Sequence, residues 1–365
     1  MRPLRISVVL PFPATRPGGG VKIMYEYANR LQARGHQVQV FHSIRRPFKK
    51  MKSPLWWKQL LYRIRGAARP KWFPLDERIS SSIVPEITDR YLPDADIVLS
   101  TWWEMAYMTS ALSPSKGLPF QLIQDYEVWT GREEQVHASY ALRARPLVIA
   151  RYLQELVEKH TGIRPVHIPN AIDTTRFQLH TTPEARKADS TIMLYSKEPR
   201  KGTSYGLEAL KLLKQEVPGL EVTLFGVFDK PELPDWIQYH RQPRNLTELF
   251  NRNALFFSPS LGEGWALPPA EAMACGCAVV CTDIGGHADY ARAGETALLV
   301  PPKDSAALKE ALLLLVRNQD LRLRLAQNGQ ALINTAFSWE ASVSTMEQCF
   351  REALSPGKPG PGALG

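Results

Sequence analysis

Two glutamates, Glu263 and Glu271, are separated by seven residues in the stretch Ser258-Pro259-Ser260-Leu261-Gly262-Glu263-Gly264-Trp265-Ala266-Leu267-Pro268-Pro269-Ala270-Glu271-Ala272-Met273-Ala274-Cys275-Gly276. An apolar run, Ala254 to Phe257, reads as a strand leading into a glycine turn. Pro268 and Pro269 then read as the opening of a helix, where proline is tolerated because the first amides lack intrahelical acceptors. This places Glu263 in the loop and Glu271 in the first turn or so of the helix. Carboxylates accept hydroxyl protons, and free amides at a helix start accept a charged group between them. The combination suits a sugar nucleotide; the other reading is a pair of solvated glutamates.

Two further loops carry residue types that fit such a ligand. Lys197-Glu198-Pro199-Arg200-Lys201-Gly202 follows a strand ending at Tyr195 and precedes a helix that Thr203 or Ser204 could cap. Cations there would stabilise a diphosphate and the charge that develops as it leaves; an exposed basic turn is the alternative. Gly18-Gly19-Gly20 lets backbone approach an anion or sugar closely, or makes a tight structural turn. It is not the G-x-G-x-x-G fingerprint, and the next strand ends in Phe41-His42-Ser43 without an acid, which disfavours a nicotinamide site. Asp125, Glu127 and Glu104 follow strand ends, where a carboxylate could orient or deprotonate an acceptor hydroxyl.

The elements that must hold these loops alternate between strand and helix. In the first half the strands read as Ile6–Leu10, Val38–Phe41, Ile97–Ser100, Leu118–Ile123 and Leu147–Ala150. Helices read over Val21–Arg34 and Arg151–His160. In the second half Thr191–Tyr195, Leu220–Phe225, Leu255–Ser258 and Ala278–Thr282 alternate with Ser204–Gln215, Leu246–Asn251 and Ala270–Cys275. Thr296–Val300 and a helix over Ser305–Asn318 continue the pattern. Continuous apolar strands between helices imply parallel sheets covered on both faces. Such sheets bind ligands at the carboxyl ends of their strands. The expectation is an α/β protein with two Rossmann-like doubly wound domains facing across a cleft. Residues 1–170 form the acceptor-side domain, 171–338 the nucleotide-sugar domain, 339–354 a helix crossing back to the first domain, and 355–365 a disordered tail.

A length of 365 residues suits two domains, and 44% hydrophobic with 22% charged residues is ordinary for a globular protein. The N-terminal segment reads as a buried strand rather than a signal peptide, because Pro11 and Pro13 cut its apolar run short. The expected location is cytoplasmic, peripheral on the inner face of a membrane. Cys275, Cys277 and Cys281 lack a zinc spacing and read as buried thiols. The net charge of +9 is concentrated. No acid occurs between Tyr27 and Leu75, while Arg45, Arg46, Lys49, Lys50, Lys52, Lys58, Arg63, Arg65, Arg69 and Lys71 surround Trp56, Trp57, Leu60, Leu61, Tyr62 and Ile64. Residues 45–73 therefore read as a basic insertion. An interfacial helix on an anionic membrane, or a contact to a phospholipid-linked acceptor, fits it. So does a solvated insertion whose aromatics pack on its own domain. Nucleic acid would use similar charge, but no recognition motif accompanies it, and none is expected as a partner.

Taken together, these segments resemble the retaining glycosyltransferases of family four, with the GT-B fold. The resemblance runs from Gly18 to about Phe337. Glu263 to Glu271 is that family's E-x7-E motif, and Asn170-Ala171-Ile172-Asp173, Arg200-Lys201-Gly202, Gly285-Gly286 and Gly294-Glu295-Thr296-Ala297-Leu298-Leu299-Val300 also match. It implies a nucleotide-diphosphate sugar as co-substrate, with no further cofactor and no metal. Glu271 would hold the ribose, Glu263 the donor sugar and Lys201 the diphosphate. The backbone at Gly264, Trp265, Ala266 and Leu267 would meet the donor, and Gly19 and Gly20 would approach the same phosphate. Lys201→Ala is then expected to abolish turnover and leave folding intact. Where the family has Gly-Arg ahead of that lysine, this chain has Leu194-Tyr195, so the partner cation is missing unless Lys197 or Arg200 replaces it. Where relatives have a histidine, it has Gln124-Asp125-Tyr126-Glu127; with Asp289-Tyr290 this is similar to bacterial rhamnosyltransferases. Asp94-Ala95-Asp96 imitates a metal-binding D-x-D but precedes its strand. The resemblance implies same-face transfer to a hydroxyl of a glycan, lipid-linked or polysaccharide acceptor, assisted by the leaving phosphate. The rivals are a degenerate scaffold of a membrane-associated glycan assembly complex and a GT-B epimerase or phosphorylase.

Overall fold

The computed structural model describes residues 2–13, 15 and 17–355. Most of the tail expected to be disordered, 356–365, lies outside them. The chain divides into two compact units, one of Met1–Asn170 with Glu340–Gly365 and the other of Ala171–Trp339.

The first unit is built on β1 (Arg5–Leu10), β2 (Gln37–Ser43), β3 (Ser80–Val84), β4 (Ile97–Thr101), β5 (Leu118–Ile123), β6 (Arg145–Val148) and β7 (Val166–His167). They form one parallel sheet of order β3-β2-β1-β4-β5-β6-β7, with the reversal between β1 and β4. Its helices are α1 (Gly19–Ala33), α2 (Leu55–Ile64), α3 (Trp103–Ser110), α4 (Glu133–Tyr140) and α5 (Arg151–Thr161). Five consecutive buried residues in β1 and five in β4 show why these strands read as unbroken apolar runs.

The second unit carries β8 (Ser190–Leu194), α6 (Thr203–Glu216), β9 (Glu221–Gly226), β10 (Ile237–Arg241), α7 (Leu246–Arg252), β11 (Leu255–Ser258), α8 (Leu267–Ala274), β12 (Ala278–Thr282), β13 (Ala297–Val300), α9 (Ser305–Arg317) and α10 (Gln319–Ala336). Its parallel sheet has the same pattern of order, β10-β9-β8-β11-β12-β13, reversing between β8 and β11. One core under this sheet joins Met193, Leu213, Leu224, Leu255, Phe257 and Val280 to Leu308 and Leu312 of α9. The last helix, α11 (Trp339–Leu354), belongs to the first unit. Phe350 packs edge-on against Phe120 of β5 at 4.9 Å, and Glu347 pairs with Arg34 at 3.1 Å.

Several boundaries differ from the sequence reading. Helix α1 begins at Gly19 rather than Val21, so Gly19 and Gly20 form its first turn and Gly18 its N-cap. Glycine is a weak helix former, but the opening amides need no intrahelical acceptor, so the turn tolerates it. Trp103 and Glu104, which follow the strand end at Thr101, open α3, a helix that the sequence reading did not include. Neither Thr203 nor Ser204 caps α6; Gly202 does, at φ +63°, while the Thr203 hydroxyl bonds the backbone of Ser196. Strands β3 and β10 have too few apolar residues to announce themselves. Among the described residues, no helix is long and apolar enough to cross a membrane.

Candidate active site

The residues of the second unit that the sequence singled out converge at the carboxyl ends of β8 and β11, beside the reversal in strand order. Strand β8 runs into a single 3-10 turn, Pro199–Lys201, and Gly202 then starts α6. A Cβ on Gly202 would lie 1.9 Å from the Pro259 carbonyl oxygen. Only glycine lets the two loops close on each other here. The Leu261 amide donates to the Arg200 carbonyl at 2.7 Å, and the Arg200 guanidinium donates to the Gly262 carbonyl at 3.2 Å.

This closure brings Lys201 onto Glu263. Its Nζ lies 2.9 Å from Oε1 and 2.7 Å from Oε2, with the glutamate side chain only 8% exposed. The Ser260 hydroxyl donates to Oε1 at 2.8 Å. Burial acts to raise the Glu263 pKa, but Lys201, His287 and Ser260 outweigh it and hold the carboxyl below its ordinary value. Behind Glu263, a Cβ on Gly286 would come within 2.4 Å of its backbone and Cβ, so that glycine is the glutamate's packing wall. A small pocket, part of it open to solvent, is lined by Lys201, Glu263, Leu194, Ser260, Ala266 and Pro268 among others.

A buried histidine that the sequence did not flag extends this network. His287 Nδ1 donates to the Thr282 carbonyl at 2.8 Å, which leaves Nε2 facing the Ser258 hydroxyl at 3.3 Å. Burial is the main force lowering its pKa, and the Thr282 bond selects the tautomer that carries a proton on Nδ1. Ser258 in turn lies 3.3 Å from Ser260. The signal was present in Gly285-Gly286-His287, but only tertiary packing turns it toward the strand end.

Glu271 is buried on α8, at its fifth residue and so beyond the first turn. The amide cradle is smaller than a free helix start would give. Pro268 and Pro269 have no N–H, and the Ala266 amide donates to the Gly286 carbonyl at 3.1 Å. An anion at this turn would have to be met by the amides of Gly264, Trp265 and Leu267. Trp265 is itself buried, packed at 4.8 Å against Tyr290, whose hydroxyl donates to the Ala266 carbonyl at 2.8 Å.

The two candidate substitutes for the missing cation separate. Tyr195 turns edge-on to Tyr239 at 5.7 Å, and Lys197 lies over the Phe228 ring at 5.8 Å. Arg200 is fastened to the Gly262 backbone beside Lys201.

In the first unit, Gly19 and Gly20 lie at the carboxyl edge of the sheet, where Gln124 holds Gly20. Its side-chain amide donates to the Gly20 carbonyl at 3.0 Å and to Thr101 Oγ1 at 2.9 Å. The Asp125 carboxylate accepts the Tyr126 amide at 2.9 Å. Glu127 is buried, and its Oε2 accepts the Trp103 amide at 2.7 Å, which makes it a carboxylate cap on α3. Trp102, the N-cap residue of α3, is held at φ +74°, a conformation costing ~1–3 kcal/mol for a bulky residue. Strain of that size tends to be retained where a site needs the geometry.

Other expectations resolve simply. Cys275, Cys277 and Cys281 are buried free thiols, with burial pushing Cys277 up to about 11. Asp94 pairs with Lys116 at 3.0 Å and Asp96 accepts the Arg5 amide at 2.8 Å, both at the amino end of the sheet.

Comparison with known proteins agrees with this geometry. Residues 180–332 match the family described as glycosyl transferases group 1. The phosphatidyl-myo-inositol mannosyltransferase of Mycobacterium leprae is 23% identical over 97% of this chain and 98% of its own length. Among solved structures, sucrose-phosphate synthase from Thermosynechococcus elongatus superposes with a TM-score of 0.72 at 16% identity, covering 96% of this chain and 99% of that one. HepE of Anabaena, in complex with UDP and glucose, gives 0.68 at 15% identity with the same coverage. With two parallel sheets of seven and six strands and a group 1 domain over residues 180–332, the chain is a glycosyltransferase enzyme of GT-B fold.

Proposed function

We propose that the enzyme transfers a sugar from a nucleotide-diphosphate sugar to a hydroxyl acceptor, with retention at the anomeric carbon and without a metal. The observation that carries this reading is the Lys201–Glu263 pair at the carboxyl end of β8 and β11, on the same unit as Glu271. In this reading Lys201 meets the diphosphate, and Arg200, seated beside it, takes the place of the cation that Tyr195 cannot supply. Glu271 holds the ribose, Glu263 accepts a hydroxyl of the donor sugar, and the amides of Gly264, Trp265 and Leu267 complete the anion contacts. Fixed cations aimed at a leaving diphosphate stabilise the charge that develops on it, which supplies what a metal would otherwise supply. The same-face course needs no carboxylate nucleophile, since the leaving phosphate can take the acceptor proton. The complex of HepE with UDP and glucose supports the donor class. Calorimetric titration with UDP-, GDP- and dTDP-sugars tests donor binding, and failure of all three sinks the reading. Proton NMR of the product's anomeric centre tests retention, and turnover in EDTA tests metal independence.

We also propose peripheral binding to the cytoplasmic face of a membrane, with the acceptor a glycan or lipid-linked saccharide. The basic insertion divides in a way that supports this. Trp72 and Phe73 pack on Tyr25, at 5.9 and 5.4 Å, and Arg69 bonds the backbone of Leu75 and Ile79. Helix α2 instead buries none of its residues, leaving Trp56 65% and Ile64 73% exposed, with exposed Arg63 and Arg65 alongside. Aromatic and aliphatic groups beside cations suit an anionic interface.

A further inference from the structure

We propose that Trp102, Trp129, Glu104, Arg46, Lys49 and Arg132 of the first unit bind the acceptor, and that this acceptor is an anionic saccharide: a sugar ring carrying a phosphate or comparable group. The proposal deepens the glycosyltransferase reading and rests on it.

The observations are independent of the donor residues. At the carboxyl end of β4 the rings of Phe12, Trp102 and Trp129 meet edge to face, with centroids 5.8 Å and 5.4 Å apart, and Trp129 is 51% exposed. Aromatic faces of this kind stack on the apolar face of a sugar ring while leaving its hydroxyls to polar partners. The Arg46 guanidinium sits over both Phe12, at 5.9 Å, and Trp102, at 5.6 Å. It also pairs with Glu104 at 3.3 Å.

Glu104 is the unusual member. It is 5% exposed, and its Oε2 is the atom that Arg46 pairs with, while the buried Nε1 atoms of Trp102 and Trp103 and the Thr130 hydroxyl have no hydrogen bond among the described residues. Buried polar atoms are ordinarily satisfied, and two of these three belong to the residues directly after β4 while the third adjoins Trp129. Two ring donors, a hydroxyl and a carboxylate acceptor form a set that a polyhydroxylated ligand would satisfy. Burial raises the Glu104 pKa, and the charges of Arg46, Lys49 and Arg132 oppose it. Arg132 also lies over the Phe48 ring at 5.6 Å and donates to the Phe48 carbonyl at 3.2 Å. Glu127 at the Trp103 amide is a second carboxylate here, so three cations against two carboxylates leave one positive charge over, which a neutral sugar would not use. A phosphate would.

Saturation-transfer NMR on the full chain tests this with glucose 6-phosphate, methyl glucoside and inorganic phosphate as probes. Glucose 6-phosphate is expected to bind about tenfold more tightly than methyl glucoside, and inorganic phosphate to compete with it. Trp129→Ala, at an exposed position, should weaken both sugar probes. Arg132→Ala should weaken only the phosphorylated one. Equal affinity for the two sugars overturns the anionic class. Unchanged binding in both Trp129→Ala and the isosteric Glu104→Gln overturns the site. Vesicles of phosphatidylcholine with phosphatidylinositol, but not of phosphatidylcholine alone, would displace the probe if the acceptor is a lipid headgroup; neither would if it is a soluble sugar phosphate. UDP, GDP and dTDP titrated into the same preparation report the donor site separately, so a failure of the donor reading is distinguishable from a failure of this one.

Discussion

Lys201 and Glu263 form a two-point ion pair, with the ammonium nitrogen 2.9 and 2.7 Å from the two carboxylate oxygens. The pair joins the turn after β8 to the loop after β11, so the cation proposed to meet the diphosphate is held in place by the carboxylate proposed to meet the sugar. Each residue then has a structural task as well as a binding one.

Removal of Lys201 therefore reaches further than the sequence suggested. Lys201→Ala leaves a carboxylate buried without its countercharge, and breaking a buried pair from one side costs about 3 kcal/mol. The expected result is loss of turnover together with a melting temperature lowered by ~6–12 °C for a unit of this size. The double variant Lys201→Met with Glu263→Gln should recover most of the melting temperature and none of the turnover. Calorimetry alongside a donor-hydrolysis assay separates the two effects; a Lys201→Ala protein as stable as the parent would refute the coupling.

The same pair sets an acid limit. Lys201, His287 and Ser260 outweigh burial and keep the Glu263 pKa below its ordinary value, so the unfolded chain binds this proton more readily than the folded one. The resulting stability is fully present above the unfolded carboxylate value of about 4.3 and is lost as pH falls through the lower folded value. Urea midpoints measured from about pH 6 down to about pH 3 should fall less steeply for Glu263→Gln than for the parent. Parallel curves would mean that Glu263 does not contribute.

Gly202 should tolerate no side chain. Its φ of +63° costs an L-residue about 1–2 kcal/mol by itself. The added methyl would also meet the Pro259 carbonyl at 1.9 Å, a backbone atom that cannot swing away. Gly202→Ala is expected to open the contact between the two loops, weakening nucleotide binding more than Lys197→Ala does. Equal binding by the two variants in a nucleotide titration would show that loop closure is not needed.

Much of this site was readable from residue order because its parts are local. The seven-residue spacing of Glu263 and Glu271 survives into a loop and a helix, and Arg200-Lys201-Gly202 keeps its lysine one residue from the turn glycine. The parts that were missed are made by the fold. His287 reaches Ser258 across 29 positions, and Gly286 backs Glu263, which no periodicity announces. The choice between Lys197 and Arg200 was open in the sequence, since both lie in one basic turn. It depends on the 3-10 turn, which directs Arg200 to Gly262 and leaves Lys197 over Phe228. The two prolines of α8 were read correctly as a helix start, but their missing amides also shrink the anion cradle.

Glu127 separates a capping role from a proton-transfer role. Its Oε2 accepts the Trp103 amide, a bond that a glutamine oxygen can also accept. Glu127→Gln is thus expected to keep the fold and most of the turnover. Glu127→Ala should lose about 1–2 kcal/mol of stability with the cap. A general base would give the opposite ordering, with the glutamine variant inactive and well folded, so kcat for Glu127→Gln decides between them.

Helix α2 supplies the sharpest test of membrane binding because its aromatics carry no packing role that would confuse the result. Trp56 and Trp57 are 65% and 44% exposed and touch each other edge-on at 5.7 Å. Replacing both with serine should leave the melting temperature within about 1 °C, as surface changes usually do. It should also remove apolar area and aromatic anchoring from an interface where each neighbouring cation contributes about 1 kcal/mol. Sedimentation with anionic vesicles should therefore fall for the double variant. It should fall again with Arg63→Glu and Arg65→Glu, and the parent's binding should weaken as salt rises. Binding that ignores both salt and the tryptophans would assign α2 to some other partner.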